Sequence, residues 1–265
     1  MFNKKAFACM AAIVCCLGLH TGAAKADLLD DIMAAKKIRI STDVAIPPAG
    51  MMNAQMQPVG SDVETGALLA KDWGLEYVIV PTTGATRIPN VLSGKADVII
   101  STLSVTPERG KVIDFSKPYT TLESVVGGRK DVAVASLDDL KGKTVAVTRG
   151  TTQDTKLTGL AEAHGFHVVR YDDDATLVTA GVTGQASLLA TSVALISQVA
   201  QKNPATGFAP KFVLDEFDIS IGVHKGEPRL VAKLNEWVAA NLKNGKLNAI
   251  YQKYYGVPLP ASMTQ

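Results

Sequence analysis

The chain has 265 residues, 47% of them hydrophobic and 20% charged, which is a globular rather than a disordered balance. The formal charge is only +2, so no basic field argues for nucleic acid. The three cysteines, Cys9, Cys15 and Cys16, crowd the N-terminus, which excludes a disulfide framework or a cysteine metal site in the body of the chain.

In chain order, the first feature is an export signal. Lys4 and Lys5 are followed by an almost wholly apolar run over residues 6–19, and Ala24-Lys25-Ala26 puts small residues where signal peptidase reads. Residues 1–26 are expected to be a signal peptide cleaved after Ala26. The apolar run is shorter than the roughly 20 residues of a transmembrane helix, and an uncleaved N-terminal anchor is the alternative. Lipidation is disfavoured, because Cys15 follows Val14 and Cys9 comes too early for a full apolar region.

Strand and helix signals then alternate. Residues 38–42 read as a strand, 62–73 as a helix closed by Gly74, and 77–80 as a strand stopped by Pro81. A short helix over 88–92 and a strand over 97–100 follow, the latter too apolar to have a wet face. The pattern restarts near 122–130. Strand 144–147, helix 153–163, a strand from 168, helix 175–182, strand 188–190 and helix 193–200 complete a second series. Short strands at 212–214 and 219–223 lead to helices over 229–242 and 246–255, separated by Asn244-Gly245. Two βα series predict two α/β lobes, whose facing sheets enclose a cleft at the carboxyl ends of their strands.

The most specific stretch is Arg87-Ile88-Pro89-Asn90-Val91-Leu92-Ser93-Gly94-Lys95-Ala96-Asp97-Val98-Ile99-Ile100. It continues through Ser101-Thr102-Leu103-Ser104-Val105-Thr106-Pro107-Glu108-Arg109 to Asp114-Phe115-Ser116-Lys117-Pro118-Tyr119. With Gly60-Ser61-Asp62, residues 139–152 and the C-terminal run 245–256, it resembles the polar amino-acid-binding family of bacterial extracytoplasmic solute-binding proteins that serve ABC importers. The resemblance spans nearly all of the chain after residue 26. It implies an α/β, two-lobed, periplasmic-binding-protein-like fold of type II, with a hinge of two crossing strands and a central ligand cleft. Lobe 1 would be 27–121 plus 218–265, and lobe 2 would be 122–217. The implied protein is a periplasmic monomer without catalytic activity, cofactor or metal. It captures a small carboxylate-bearing solute, an amino acid or related organic acid, and delivers it to an inner-membrane ABC permease.

Arg109 is the leading ligand residue. Its planar guanidinium matches a carboxylate, and the resemblance gives it the ligand's α-carboxylate; a surface ion pair with Asp114 is the alternative. Thr102 and Ser104 follow an apolar strand and offer hydroxyls and backbone groups at its carboxyl end. Thr151 and Thr152, after Gly150, open a helix whose free N–H groups suit an anion, although Thr151 can equally be a simple N-cap. Asp43 follows the first strand and reaches either the cleft or only a turn. Thr106 and Pro107 are expected to position Arg109, Asp62 to cap its helix, and Asp172-Asp173-Asp174 to be solvated or capping.

Two departures from the family matter. Its members usually carry an aspartate, for the ligand's α-ammonium, where alignment places Ser192. A serine lacks that countercharge, and a buried unpaired ammonium costs on the order of several kcal/mol. The first loop, Ala45-Ile46-Pro47-Pro48-Ala49-Gly50-Met51-Met52, lacks the usual aromatics, and Ser61 stands where Phe or Tyr is common. The pocket is therefore expected to be apolar and adaptable, without a flat stacking face, and to hold a small or aliphatic ligand. Two other functions compete: a dehydratase-like enzyme acting on prephenate or arogenate, which needs a positioned acid in the cleft, and a ligand sensor docking on a chemoreceptor or kinase.

Overall fold

The computed structural model describes residues 27–264. The expected signal peptide and all three cysteines lie outside the described residues.

The chain opens with helix α1 (Leu28–Ala35), capped by Asp27, whose carboxylate accepts from Leu29 N–H, and with strand β1 (Lys37–Thr42). A small hairpin, β2 (Met51–Met52) with β3 (Pro58–Val59), sits in the following loop. Helix α2 (Ser61–Trp73) ends at Gly74, which takes the left-handed conformation, and leads into β4 (Glu76–Pro81), α3 (Arg87–Leu92) and β5 (Val98–Ile99). Neither α1 nor the hairpin is anticipated from the sequence. The strand expected over 97–100 is only two residues long, although its whole span is buried.

The larger correction concerns the middle of the chain. Where the sequence reads as a break between two series, a single strand β6 (Ile113–Gly128) runs for 16 residues. The two short strands expected at 212–214 and 219–223 are likewise one strand, β10 (Ala209–His224). Between them lie β7 (Thr144–Thr148), α4 (Thr152–His164), β8 (His167–Tyr171), α5 (Asp174–Thr183), β9 (Leu188–Ser192) and α6 (Val193–Lys202). Helices α7 (Pro228–Lys243), α8 (Lys246–Tyr255) and α9 (Ala261–Thr264) finish the chain.

β6 and β10 pair antiparallel along their whole length, with irregularities that let the ribbon bend. They join what the sequence reads as two sheets into one eight-stranded sheet of order β4-β1-β5-β10-β6-β9-β7-β8. On one side β4, β1 and β5 run parallel; on the other β9, β7 and β8 do. Each side has its own core. Ile38, Ile40, Val98, Ile221 and Leu234 pack together on the first, and Leu177, Leu189, Ile196 and Val199 on the second. These are the apolar positions of the alternating βα pattern, and burying a side chain of this size stabilises by roughly 1.5–3 kcal/mol. The result is a two-lobed α/β fold joined by two long strands.

Gly60 starts α2 at φ 137°, and a Cβ there would come within 2.2 Å of the Ala49 carbonyl oxygen. Gly159, inside α4, has open space around it. Gly60→Ala is expected to lower stability by about 2 kcal/mol or more, whereas Gly159→Ala raises it by about 0.5–1 kcal/mol. Urea unfolding of both variants checks the contrast.

Candidate functional site

The parallel strands of both lobes point their carboxyl ends at one cleft, of about 600 Å³. Asp43 follows β1, Thr102 and Ser104 follow β5, Thr151 and Thr152 follow β7, and Ser192 ends β9; all six line this cleft. Arg109 does not line it. Its guanidinium lies behind Ser104 and donates to the Ser104 carbonyl at 2.9 Å and, from the other lobe, to the Gly150 carbonyl at 3.3 Å. No carboxylate pairs with it among the described residues; Asp114, the alternative partner, accepts instead from Gly226 N–H. Burial first, then the positive Arg87, push Arg109 down to about 9, so it keeps its charge at neutral pH. Thr106 accepts from Arg109 N–H and fixes the turn that carries it.

The arginine that lines the cleft is Arg87, in the first turn of α3. It is buried, donates to the carbonyls of Ser101 at 2.6 Å and Thr102 at 3.4 Å, and its Nε has no partner among the described residues. Burial lowers its pKa against the opposing charges of Asp174, Asp43 and Asp62. A partly amphipathic motif opening on an arginine reads as an exposed helix start, and only the fold turns this side chain inward.

Asp62 does not cap α2. Gly60 occupies that position, and the Asp62 carboxylate is buried, accepting from Thr102 N–H at 2.7 Å and Tyr119 O–H at 2.8 Å. Thr102 has φ 43°, a left-handed conformation that costs a non-glycine residue about 1 kcal/mol or more. Asp62 from below and Arg87 at its carbonyl hold it there. Of the acidic run, Asp172 pairs with Arg149 and Asp173 caps α5, but Asp174 turns into the cleft, where Thr148 Oγ1 donates to it at 2.6 Å. Thr151 is the N-cap of α4, accepting from Asp154 N–H at 3.2 Å, and Ser192 is the N-cap of α6, accepting from Leu195 N–H at 3.3 Å. Asp43 accepts from Ala45 N–H, the turn contact anticipated, and also lines the cleft.

The expectation of a pocket without a flat face is overturned: Tyr251, Tyr254 and Tyr255 of α8 line the cleft. Sequence reasoning placed that segment only as a C-terminal helix, and nothing local signals that it reaches the ligand space. Among the described residues no group of three or more His, Cys, Asp or Glu is placed to hold a metal ion.

A two-lobed sheet with a charged cleft at its strand ends is the architecture of a solute receptor. The family of bacterial extracellular solute-binding proteins, family 3, matches residues 38–257. The chain belongs to this family. The L-cystine-binding protein TcyJ of Escherichia coli is 27% identical over 232 residues, covering 86% of each chain. The L-arginine-binding protein of Pseudomonas aeruginosa is 29% identical over 238 residues, covering 86% of this chain and 91% of its own. Among solved structures, the P235GK mutant of ArgBP from T. maritima superposes with a TM-score of 0.80 at 30% identity, covering 87% of this chain and 100% of that one. The ancestral amino acid-binding protein AncCDT-1, a precursor of cyclohexadienyl dehydratase, superposes at 0.77 with 28% identity, covering 86% and 99%. Family 3 membership gives the chain a solute-binding role. No helix among the described residues is long and apolar enough to cross a membrane.

Burial pushes Asp43 up to about 6, with Asp174 adding repulsion and Ala45 N–H and Arg87 opposing it. Unfolded, the same carboxyl titrates near ~3.9. The folded protein therefore holds this proton more tightly, and the stability it contributes at low pH is lost as pH rises from about 4 to about 6. Asp43→Asn is expected to raise the melting temperature of the ligand-free protein at pH 7.5. The gain, on the order of 2 kcal/mol, fades at pH 4. Thermal unfolding of both proteins across that range measures it.

Proposed function

We propose that the protein captures a small α-amino acid in this cleft and delivers it to the permease of an ABC importer, without catalysing a reaction. The observation that carries the reading is Arg109: a charged guanidinium with no carboxylate partner among the described residues, donating from behind Ser104 to the Ser104 carbonyl of one lobe and the Gly150 carbonyl of the other. A ligand carboxylate is the acceptor it lacks. Ser104 and the free N–H groups at the start of α4, beside Thr151 and Thr152, surround the same anion position. Thr102 supplies a hydroxyl beside it.

Ser192 gives no countercharge for an α-ammonium, but the cleft does not lack one. Three carboxylates, Asp43, Asp62 and Asp174, act on the buried cation Arg87. Asp43 and Asp174 line the cleft from opposite lobes, so an ammonium between them relieves their mutual repulsion. This supplies the countercharge that Ser192 lacks, and agrees with relatives that are named for binding cystine, arginine and histidine. The lobes, 27–121 with 218–265 and 122–217, would close on the ligand by bending β6 and β10. On this reading residues 1–26 direct the protein to the periplasm, where it works as a monomer.

One observation favours a second reading. Asp43, a buried cleft acid pushed up to about 6, is placed and tuned as a general acid would be, which suits a dehydratase-like activity. Turnover assays with prephenate and arogenate decide between the two.

Calorimetric titration of unfolded and refolded protein with L-amino acids and the matching 2-oxo acids tests the leading reading. Arg109→Ala is expected to weaken both classes by about a hundredfold, the scale of a charge-assisted pair. Asp43→Asn is expected to weaken amino acids by about tenfold and to spare or improve the 2-oxo acids. Equal loss of both classes in Asp43→Asn would reject the ammonium assignment.

A further inference from the structure

The carboxylate and ammonium positions proposed above account for the Ser104, Asp43 and Asp174 side of the lining; the cleft is also lined from α8, α6 and β6. Tyr251, Tyr254 and Tyr255 come from α8, Ser197, Gln198 and Gln201 from α6, and Thr121, Leu122 and Glu123 from β6.

The tyrosines are set rather than loose. Tyr251 and Tyr255, four residues apart on α8, stack with ring centroids 4.4 Å apart and planes 19° from parallel. Tyr254 donates to Glu64 Oε1 at 2.6 Å and accepts from Gly60 N–H at 3.2 Å, which pins α8 to the start of α2. Thr121 is the polar neighbour of the Tyr251 hydroxyl and Ser61 that of the Tyr255 hydroxyl. Ser61 is buried and small. A ring at that position would take up the room beside Tyr255, so the serine leaves the α8 rings open to the cleft.

We propose that the Tyr251–Tyr255 pair is the side-chain subsite of the receptor and selects ligands whose side chain ends in a planar group, an aromatic ring or a guanidinium. This rests on the amino-acid reading above. A tyrosine face attracts flat groups by offset stacking, and attracts a guanidinium also through its ring quadrupole. The serine and glutamines of α6 offer hydrogen bonds to the edge of such a group, and Glu123 adds a carboxylate to the same lining. Length alone does not satisfy this geometry, so a flat side chain is preferred over a flexible one of equal reach.

The test is a calorimetric panel in matched pairs, L-arginine against L-lysine and L-phenylalanine against L-leucine, on the full mature protein and on Tyr251→Leu, Tyr255→Leu and Tyr251→Phe. Circular dichroism and melting curves check that each variant folds. The wild-type protein is expected to favour the planar member of at least one pair by roughly three- to tenfold. The leucine variants are expected to lose that ratio, and Tyr251→Phe to keep it, because it keeps the ring. The arginine pair and the phenylalanine pair separate a guanidinium from an aromatic ligand. Wild-type binding with no planar preference, or with a preference that both leucine variants retain, overturns the subsite and leaves the amino-acid reading standing. Failure of the wild-type protein to bind any amino acid overturns that reading, and the subsite with it.

Discussion

The buried guanidinium of Arg87 is the constraint to which the cleft is built. An arginine does not shed its proton in a protein interior, so its burial has to be answered by acceptors and negative charge. The carbonyls of Ser101 and Thr102 take one nitrogen, and Asp174, Asp43 and Asp62 supply the field. These acids come from the start of α5, the end of β1 and the start of α2. One cation thereby ties together a loop, two helix starts and the opposite lobe. It also explains how Thr102 holds a left-handed backbone: Asp62 binds its N–H, Arg87 approaches its carbonyl, and Asp62 is itself fixed by Tyr119.

The same charges bear on closure. Asp43 and Asp174 line the cleft from separate lobes and repel, while Arg109 and Arg87, both in the first lobe, repel each other. On the proposed reading, drawing the lobes together is opposed between Asp43 and Asp174 until a cation enters, whereas the arginines share a lobe and their repulsion is the same open or closed. A zwitterion brings an anion to the arginines and a cation to the acids in one molecule. A ligand without the ammonium leaves the Asp43–Asp174 repulsion in place, and a conformational equilibrium moves only by such differential interactions. On the proposed reading, the charge pattern of the cleft therefore couples recognition to closure.

Much of the architecture is legible in the sequence, because alternating apolar strands and capped helices are local signals. Gly74, Gly165 and Gly184 end helices in the left-handed conformation, and Ser192, Thr151 and Asp173 begin them. What escapes is long-range. β6 and β10 carry exposed and polar residues mid-strand, so their continuity reads as a linker from either sequence alone; each is a strand because the other pairs with it. Thr102, Ser104, Thr151, Thr152, Asp43 and Ser192 are found by their place at strand ends, a rule that also applies to Asp174 after β8. The acidic run hid it, because three adjacent aspartates look solvated and only the middle one caps. Arg87, Asp62 and the α8 tyrosines have no local signature, since their roles depend on which distant segment covers them.

Ser192 shows how a function can move while a fold stays. An aspartate at a helix N-cap can accept from the free N–H groups and carry a negative charge into a cleft at the same time. Ser192 keeps the first task, bonding Leu195 N–H, and cannot perform the second. On the proposed reading the charge is instead carried one helix away, by Asp174, where Asp173 does the capping and leaves its neighbour free to turn inward. Capping and countercharge, combined in one residue in an aspartate-capped helix, are here divided between two helices. On that reading the ammonium is held away from the start of α6, and Ser192 lines the same cleft as the α8 tyrosines. Separating the two tasks also frees the start of α6 from electrostatic duty, so residues on that helix can vary to suit the ligand side chain without disturbing the charges that hold its backbone.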